Sequence, residues 1–252
     1  MSDQNQKSLS QRALPSRILP NTYGPDRSSE YGEKAMQPYG FSRFNLADEG
    51  TYFIAHNITN DASTTLAGHT APVLADADAT MTKPLIFCRF PVATTSRLRC
   101  YLDYIQIEVV TAGANGTQAC WAAQLDTGAT RYSSGTVETL TTVNPNMQSS
   151  ATPSLVTFAG PVVVGAESAS VRNLGFGTLR PSIEIAGDVK LFTFGADIRD
   201  TSASAAAAVR TQIVNLPPVV LGPNDQFLLA LHSQASQNAA GVYKVRMGWW
   251  ER

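Results

Sequence analysis

The sequence is poor in charged residues. Asp, Glu, Lys and Arg make up 15% of its 252 residues, against about 25% in an average globular protein. The 19 basic and 20 acidic side chains nearly balance, which leaves a net charge of -1. Because non-specific binding to a polyanion needs a clustered basic excess, we expect no nucleic-acid partner.

Long apolar runs are missing as well. No stretch approaches the roughly 20 consecutive apolar residues of a membrane-spanning helix. The opening residues, MSDQNQ, have neither the basic region nor the apolar region of a signal peptide. We therefore expect no membrane partner and expect synthesis in the cytoplasm.

Cysteine and histidine are scarce, with three of each. The three cysteines, Cys88, Cys100 and Cys120, are odd in number and lie in strand-like runs, which favours buried free thiols over a disulfide or a metal site. The histidines, His56, His69 and His232, have no partner at metal-ligand spacing. His232 alternates with the inward residues of its strand, which places it on the outer face.

Catalytic signatures are also absent from the sequence. Asp126 ends a strand-like run, and we expect it to cap a turn or to pair with Arg131 rather than to hydrolyse a glycan. Asp103 and Glu108 lie opposite the apolar face of their strand and are expected in solvent. We predict that the protein is not an enzyme, with no catalytic residue, no cofactor and no metal.

What the chain does contain is strand periodicity. In residues 97–111 the apolar set changes parity, from Leu98, Cys100, Leu102 and Tyr104 to Ile105, Ile107 and Val109. This shift predicts a β-bulge near residues 104–105. The Asn-Gly pair at 115–116 suits a hairpin loop, which a strand over residues 117–126 follows.

Further strands are predicted over residues 52–56, 85–90, 136–143, 154–164, 170–179, 182–185 and 189–194, and within the two strand-like runs 217–234 and 242–252. Residues 182–194 are interpreted as a hairpin, and residues 201–208 as a surface loop. Short strands with regular turn signals are typical of an antiparallel sandwich. The predicted fold is therefore all-β, an antiparallel β-sandwich of the jelly-roll kind, over residues 49–252.

The C-terminal strand shows the clearest alternation. Tyr243, Val245, Met247 and Trp249 share one face, which we assign to the core. Trp250 points the other way, beside Lys244 and Arg246. Because a large aromatic side chain on an outer face needs a neighbour, Trp250 is a candidate subunit contact.

Residues 1–48 form a different kind of segment, with scattered prolines and no sustained period. A disordered tail would be poorer in aromatic residues, so we interpret the segment as an extended arm that docks apolar side chains into grooves. The candidate anchors are Leu14, Ile18, Leu19, Tyr23, Tyr31, Tyr39 and Phe41.

Several stretches together resemble virion structural proteins of tailed bacteriophages, of the jelly-roll capsid decoration (cement) type. They are the apolar-studded arm, the strand RLRCYLDYIQI from Arg97, LDTG from Leu125 with RYSSG from Arg131, and the ending PPVVLGPND with GWWER.

The resemblance implies a non-enzymatic protein that binds the major capsid protein lattice and stabilises the phage head. It also implies a homo-oligomer, with a trimer favoured, located on the capsid exterior after synthesis in the host cytoplasm. Two alternatives stay open: a shell-forming jelly-roll capsid subunit, and a spike or tail component whose outer loops bind a receptor or glycan.

Overall fold

The computed structural model describes residues 43–57, 66–69, 81–113, 119–136, 138–180, 184–195, 211–233 and 241–252. These ranges contain one helix, α1 (Arg43–Asp48), and sixteen strands. The strands are β1 (Tyr52–His56), β2 (Leu66–Ala67), β3 (Ile86–Arg89), β4 (Cys100–Thr111), β5 (Ala119–Asp126), β6 (Tyr132–Ser134), β7 (Glu138–Thr139), β8 (Thr141–Val143), β9 (Val156–Ala159), β10 (Val163–Val164), β11 (Arg172–Arg180), β12 (Val189–Phe194), β13 (Thr211–Leu216), β14 (Val220–Leu221), β15 (Gln226–Ser233) and β16 (Val242–Glu251).

The strands form two large sheets and a small ribbon. Sheet 1 has the order β13-β12-β4-β16-β1-β8, with β14 also paired to β4 and β2 to β16. Sheet 2 has the order β11-β5-β15-β3-β9-β7, and β6 and β10 form the ribbon. The prediction of an all-β sandwich is confirmed, whereas the finer prediction of a jelly roll stays a prediction.

One pair departs from the antiparallel rule. β12 and β13 run parallel, with Val189 opposite Thr211 and Phe194 opposite Leu216. Parallel neighbours need a long crossover to bring the chain back to the same end of the sheet, and residues 195–210 supply that length. Of the predicted hairpin over 182–194, the turn at residues 186–188 and the strand β12 are present, whereas residues 181–183 lie outside the described residues.

The main core lies between the two sheets. Val245, Met247 and Trp249 of β16 are at most 1% exposed, as are Phe227 and Leu229 of β15. Phe194 of sheet 1 meets Phe227 of sheet 2 edge to face, with ring centroids 5.3 Å apart. The predicted inward row of the C-terminal strand is therefore confirmed.

The central strands of sheet 2, β5, β15 and β3, are buried on both faces, which explains their apolar runs. On the outer face, side chains of these strands pack against the β6/β10 ribbon in a second apolar cluster. The buried members of that cluster are Met81, Phe87, Ala122, Val162, Val164, Leu228 and Ala230, with Tyr132 and Phe158 packed against them. His232 has the predicted outward parity but is buried, since this face is covered.

The predicted bulge in β4 lies at Asp103. Trp249 pairs with Leu102 and Gly248 pairs with Tyr104, so Asp103 is the extra residue. The change of parity is thus one residue earlier than the sequence suggested. It allows Leu102 and Ile105 both to face the core, where they are 2% and 0% exposed.

Residues 43–48, assigned from the sequence to the arm, form α1 and bury Leu46. The helix ends at Asp48 and is followed by Gly50, which has a φ of 69°. Gly50 N donates to Ala47 O and Thr51 N to Leu46 O, the paired bonds of a Schellman motif. This turn leads the chain directly into β1.

The three cysteines are free and buried, as predicted. Burial raises the pKa of the Cys88 thiol well above its usual range. It does the same for Cys100, with smaller contributions from Glu251 and Cys88. Neither thiol has the electropositive, accessible surroundings of a reactive cysteine.

Replacing Trp249 with alanine is expected to lower the free energy of unfolding by ~3–5 kcal/mol, because it empties a filled site in the core. Trp250→Ala is the matched control and should cost about 1 kcal/mol, the scale of one exposed aromatic pair. Urea denaturation of both variants measures the difference. Equal losses would contradict the assignment of the two rings to opposite faces.

Candidate interaction surface

The outer face of sheet 1 carries four aromatic side chains, here called the aromatic strip: Tyr52, Tyr101, Tyr104 and Trp250. Register places Tyr52, Trp250 and Tyr101 side by side across β1, β16 and β4. The Tyr101 and Trp250 rings are stacked, with centroids 5.4 Å apart and planes 5° apart. Because successive residues of a strand alternate in direction, these rings point away from Trp249 and the core.

Gly248 makes room for the strip in the middle of β16. A β-carbon at this position would lie 2.5 Å from the Tyr104 ring and 2.5 Å from the Tyr52 hydroxyl. The two tyrosines therefore occupy the space that a side chain would take. Arg246 completes this part of the face, with its guanidinium 5.8 Å from the centroid of the Tyr104 ring.

An ion pair ties α1 to this face. Arg43 binds Asp103 through two atoms, with Nε 2.7 Å from Oδ2 and Nη2 2.8 Å from Oδ1. The Tyr52 hydroxyl donates to Asp103 Oδ2 at 2.7 Å. Burial and this hydrogen bond raise the pKa of Tyr52 well above its usual range, so the phenol stays protonated.

The expectation that Asp103 lies in solvent is wrong: it is 8% exposed. The bulge places it under Arg43, where two partners satisfy the carboxylate. Glu108 has no such cover and makes a looser pair with Lys244, at 3.8 Å. Sequence parity alone does not distinguish the two carboxylates, since both lie opposite the apolar set.

Trp250 points outward, as predicted, but it is only partly exposed because Tyr101 covers one side of its indole. The strip continues into exposed valines on the neighbouring strands. Val220 pairs with Tyr101 and Val143 pairs with Ile54, and each valine is 44% exposed.

The other predicted contact residues lie outside the described residues. They are Leu14, Ile18, Leu19, Tyr23, Tyr31, Tyr39 and Phe41.

Asp126 belongs to a separate, buried polar cluster. Its Oδ2 lies 3.3 Å from Arg131 Nη1, and both side chains are at most 3% exposed. Arg131 Nη1 also donates to Gln124 Oε1, at 3.1 Å. Asp126 accepts from the backbone of Thr127 and from Ser168. The predicted turn and ion pair are both confirmed.

This arrangement does not suit acid catalysis. Burial on its own raises the pKa of Asp126. The hydrogen bonds from Ser168 and Thr127 and the charge of Arg131 have the larger, opposite effect, so the pKa of Asp126 is below its ordinary value. A general acid for glycoside hydrolysis needs a raised pKa. Asp126 and Asp225 line one shallow groove, and the Asp225 carboxylate accepts a hydrogen bond from Gly222 N at 2.7 Å.

A second buried pair was not found from the sequence. Lys190 Nζ lies 2.5 Å from Glu184 Oε1, with side chains 1% and 8% exposed. The Tyr243 ring lies beside the ammonium, at 5.9 Å, and burial with the nearby Glu184 raises the pKa of Tyr243. The sequence did contain a signal for this pair, namely Lys190 within the apolar strand VKLFTF. A lysine buried in such a strand needs a carboxylate partner.

No group of His, Cys, Asp and Glu suited to hold a metal ion occurs in the described part of the chain. In the same residues, no helix is long and apolar enough to cross a membrane. Comparison of the chain with protein-family models, curated proteins and solved structures gives no match.

Asp126→Asn is expected to lower the free energy of unfolding by ~3–5 kcal/mol at pH 7, because it leaves the buried Arg131 without its charged partner. Since folding lowers the pKa of Asp126, its contribution is present above the unfolded value and disappears as the pH falls below ~4. Wild type should therefore lose more stability than the variant between pH 5 and pH 3, as measured by denaturation at each pH.

Glu108→Gln is the control for this measurement. Its pair with Lys244 is partly exposed, so the change should cost ~0–1 kcal/mol. An equal cost for both variants would show that the Asp126 cluster does not stabilise the fold.

Proposed function

We propose that the protein is a non-enzymatic virion structural protein that decorates the head of a tailed bacteriophage and cements its lattice. The observation that carries the proposal is the contrast between the sheets. The central strands of sheet 2 are covered by a second apolar cluster, whereas sheet 1 carries the partly exposed rings of Tyr101, Tyr104 and Trp250, with α1 held beside them by Arg43. A partly exposed aromatic surface of this kind suits contact with other protein subunits.

The position of Arg43 supports a role for the arm. The arm joins the sandwich where Arg43 binds Asp103, at the strip itself. In this proposal the arm lies along the capsid lattice, and the strip faces the subunits around it.

A repeated lattice turns modest contacts into strong attachment. Each copy supplies several apolar anchors and one aromatic face, and linked contacts reinforce one another by effective concentration. The scarcity of charge leaves little repulsion between neighbouring protein surfaces. Association of three copies would present three arms to the lattice, which is the arrangement that we favour.

The first test is whether the protein purifies with intact particles, and at what copy number. A decoration protein occupies every equivalent lattice position, whereas a spike or tail component is present in few copies per particle. A low copy number would contradict the proposal.

The second test replaces Leu14, Ile18 and Leu19 with serine in the full chain. Lattice occupancy should fall about tenfold or more, because linked anchors are lost together. The unfolding transition should stay unchanged, since the described sandwich begins at Arg43. Met147→Ser is the matched control, because Met147 is 94% exposed and lies outside the arm. Wild-type occupancy of the triple variant would contradict a role for these anchors.

A further inference from the structure

We propose that copies of this chain associate head to tail through the two edges of sheet 2, with Phe176 on β11 of one copy docked against Val156 beside β7 of the next. The inference supplies a contact between copies, and it concerns the purified chain in solution, so it does not require the virion role. It leaves Tyr101, Tyr104 and Trp250 on sheet 1 open to the lattice.

The first argument is the direction of the two edge strands. β11 and β7 are the end strands of sheet 2, and every neighbouring pair between them is antiparallel. With six antiparallel strands, the two edge strands run in opposite directions. A second copy in the same orientation therefore brings its β7 beside β11 as an antiparallel neighbour, an ordinary arrangement of strands. Within the described residues each of these two strands has a sheet partner on one side only, and such edges accept another strand.

The two edges also lie at the same level of the sheet. One row of paired residues crosses sheet 2 from β11 to β7. Its members are Gly175, Ala123, Leu229, Ile86, Ala159 and Glu138. Phe176 follows Gly175, so a rotation about an axis along the strands brings Phe176 of one copy to the β7 edge of the next. Head-to-tail contacts of this kind form a ring, such as a trimer, when the rotation closes.

The second argument is the exposure of Phe176, which is 80%. Gly175 and Gly177 on either side of it have no side chains, and β-carbons there would lie 3.1 and 3.0 Å from the Trp121 ring. β11 thus lies directly against Trp121, and Phe176 points to the outer face beside Ala122. Alanine is too small to cover the ring. Phe176 therefore has most of its apolar area available for burial by a partner.

The third argument is the surface that would receive this ring. β9, the neighbour of β7, carries Val156 and Phe158 two residues apart, so both point to the outer face of sheet 2. Phe158 is half-buried and stacks on Tyr132, with ring centroids 4.9 Å apart. β7 pairs with Phe158 and Ala159 of β9, which leaves Val156 beyond its end and 36% exposed. An aromatic ring docked here buries apolar surface on both copies, as at the centre of a subunit contact.

Charge favours the head-to-tail contact over a two-fold contact between two β11 strands. β11 has an arginine at each end, Arg172 and Arg180. A two-fold pairing centred on Phe176 would place Arg172 of each copy opposite Arg180 of the other, and like charges directly opposite destabilise a sheet. The first residue of β7 is instead the exposed Glu138. The two edges of one chain are thus complementary in charge, and a second copy is the occupant that they fit.

The test is sedimentation of the purified full chain over a range of concentrations. We expect wild type to associate into closed oligomers as the concentration rises. Phe176→Asp and Val156→Asp each remove one of the two edges, so each should raise the dissociation constant about tenfold or more, the scale of an interface anchor. Val220→Asp is the matched control, because Val220 is 44% exposed but lies on sheet 1, and it should associate like wild type. An unfolding transition of each variant verifies that it is folded.

Mixing the two variants distinguishes a head-to-tail contact from a two-fold one. The Phe176→Asp copy keeps its β7 edge, and the Val156→Asp copy keeps its β11 edge. Together they retain one intact junction, so an equimolar mixture should form dimers with one copy of each and nothing larger. A two-fold contact between β11 strands would leave Val156→Asp associating like wild type, and that result would overturn the proposal.

Two further results would also overturn it: wild type that stays monomeric at every concentration, and Phe176→Asp that associates like wild type. Neither result bears on the virion role, which is measured on intact particles by copy number. A low copy number on particles, in turn, leaves the sedimentation result as it stands. The failure of one proposal is therefore distinguishable from the failure of the other.

Discussion

The pairing of β16 with β4 and β1 is the constraint on which the rest of the structure depends. β16 is hydrogen-bonded along both edges, so its register fixes the direction of every side chain in the centre of sheet 1. A slip of one residue would put Trp249 in solvent and Trp250 in the core. Because of the bulge at Asp103, the residues of β4 on both sides of it point to the same faces as the β16 residues with which they pair. The core and the aromatic strip are therefore two consequences of one register.

The two sheets use their outer faces differently. In sheet 2 the β6/β10 ribbon and Met81 cover the central strands, whereas Phe176 on the edge strand β11 is 80% exposed. On the outer face of sheet 1, Tyr101 stacks on Trp250, Tyr52 donates a hydrogen bond to Asp103, and Arg246 lies over the Tyr104 ring. These contacts fix the orientation of the rings on an apolar surface. The buried ion pairs, Asp126 with Arg131 and Lys190 with Glu184, are internally compensated. They act as structural links within the fold.

Much of this could be predicted from the sequence, because a period of two is a local signal. The alternation in β16 assigned Trp249 and Trp250 to opposite faces, and the change of parity in β4 located a bulge within a residue or two. The bounds of β1 and β12 also agree with the prediction. The burial of Asp103 and His232 could not be predicted, because parity says which face a residue occupies but not what covers that face. The Lys190–Glu184 pair was missed for the same reason, since its members lie on different segments.

By itself, the sequence determined the all-β class and the inward and outward rows of the long strands. These follow from residue composition and from the alternating geometry of an extended chain. Only the tertiary structure decided the parallel pairing of β12 with β13, the covering of the central strands of sheet 2 and the ion pair of Arg43 with Asp103. Each of these joins segments that are distant along the chain, and their contact depends on sheet order and loop path, which local periodicity does not encode.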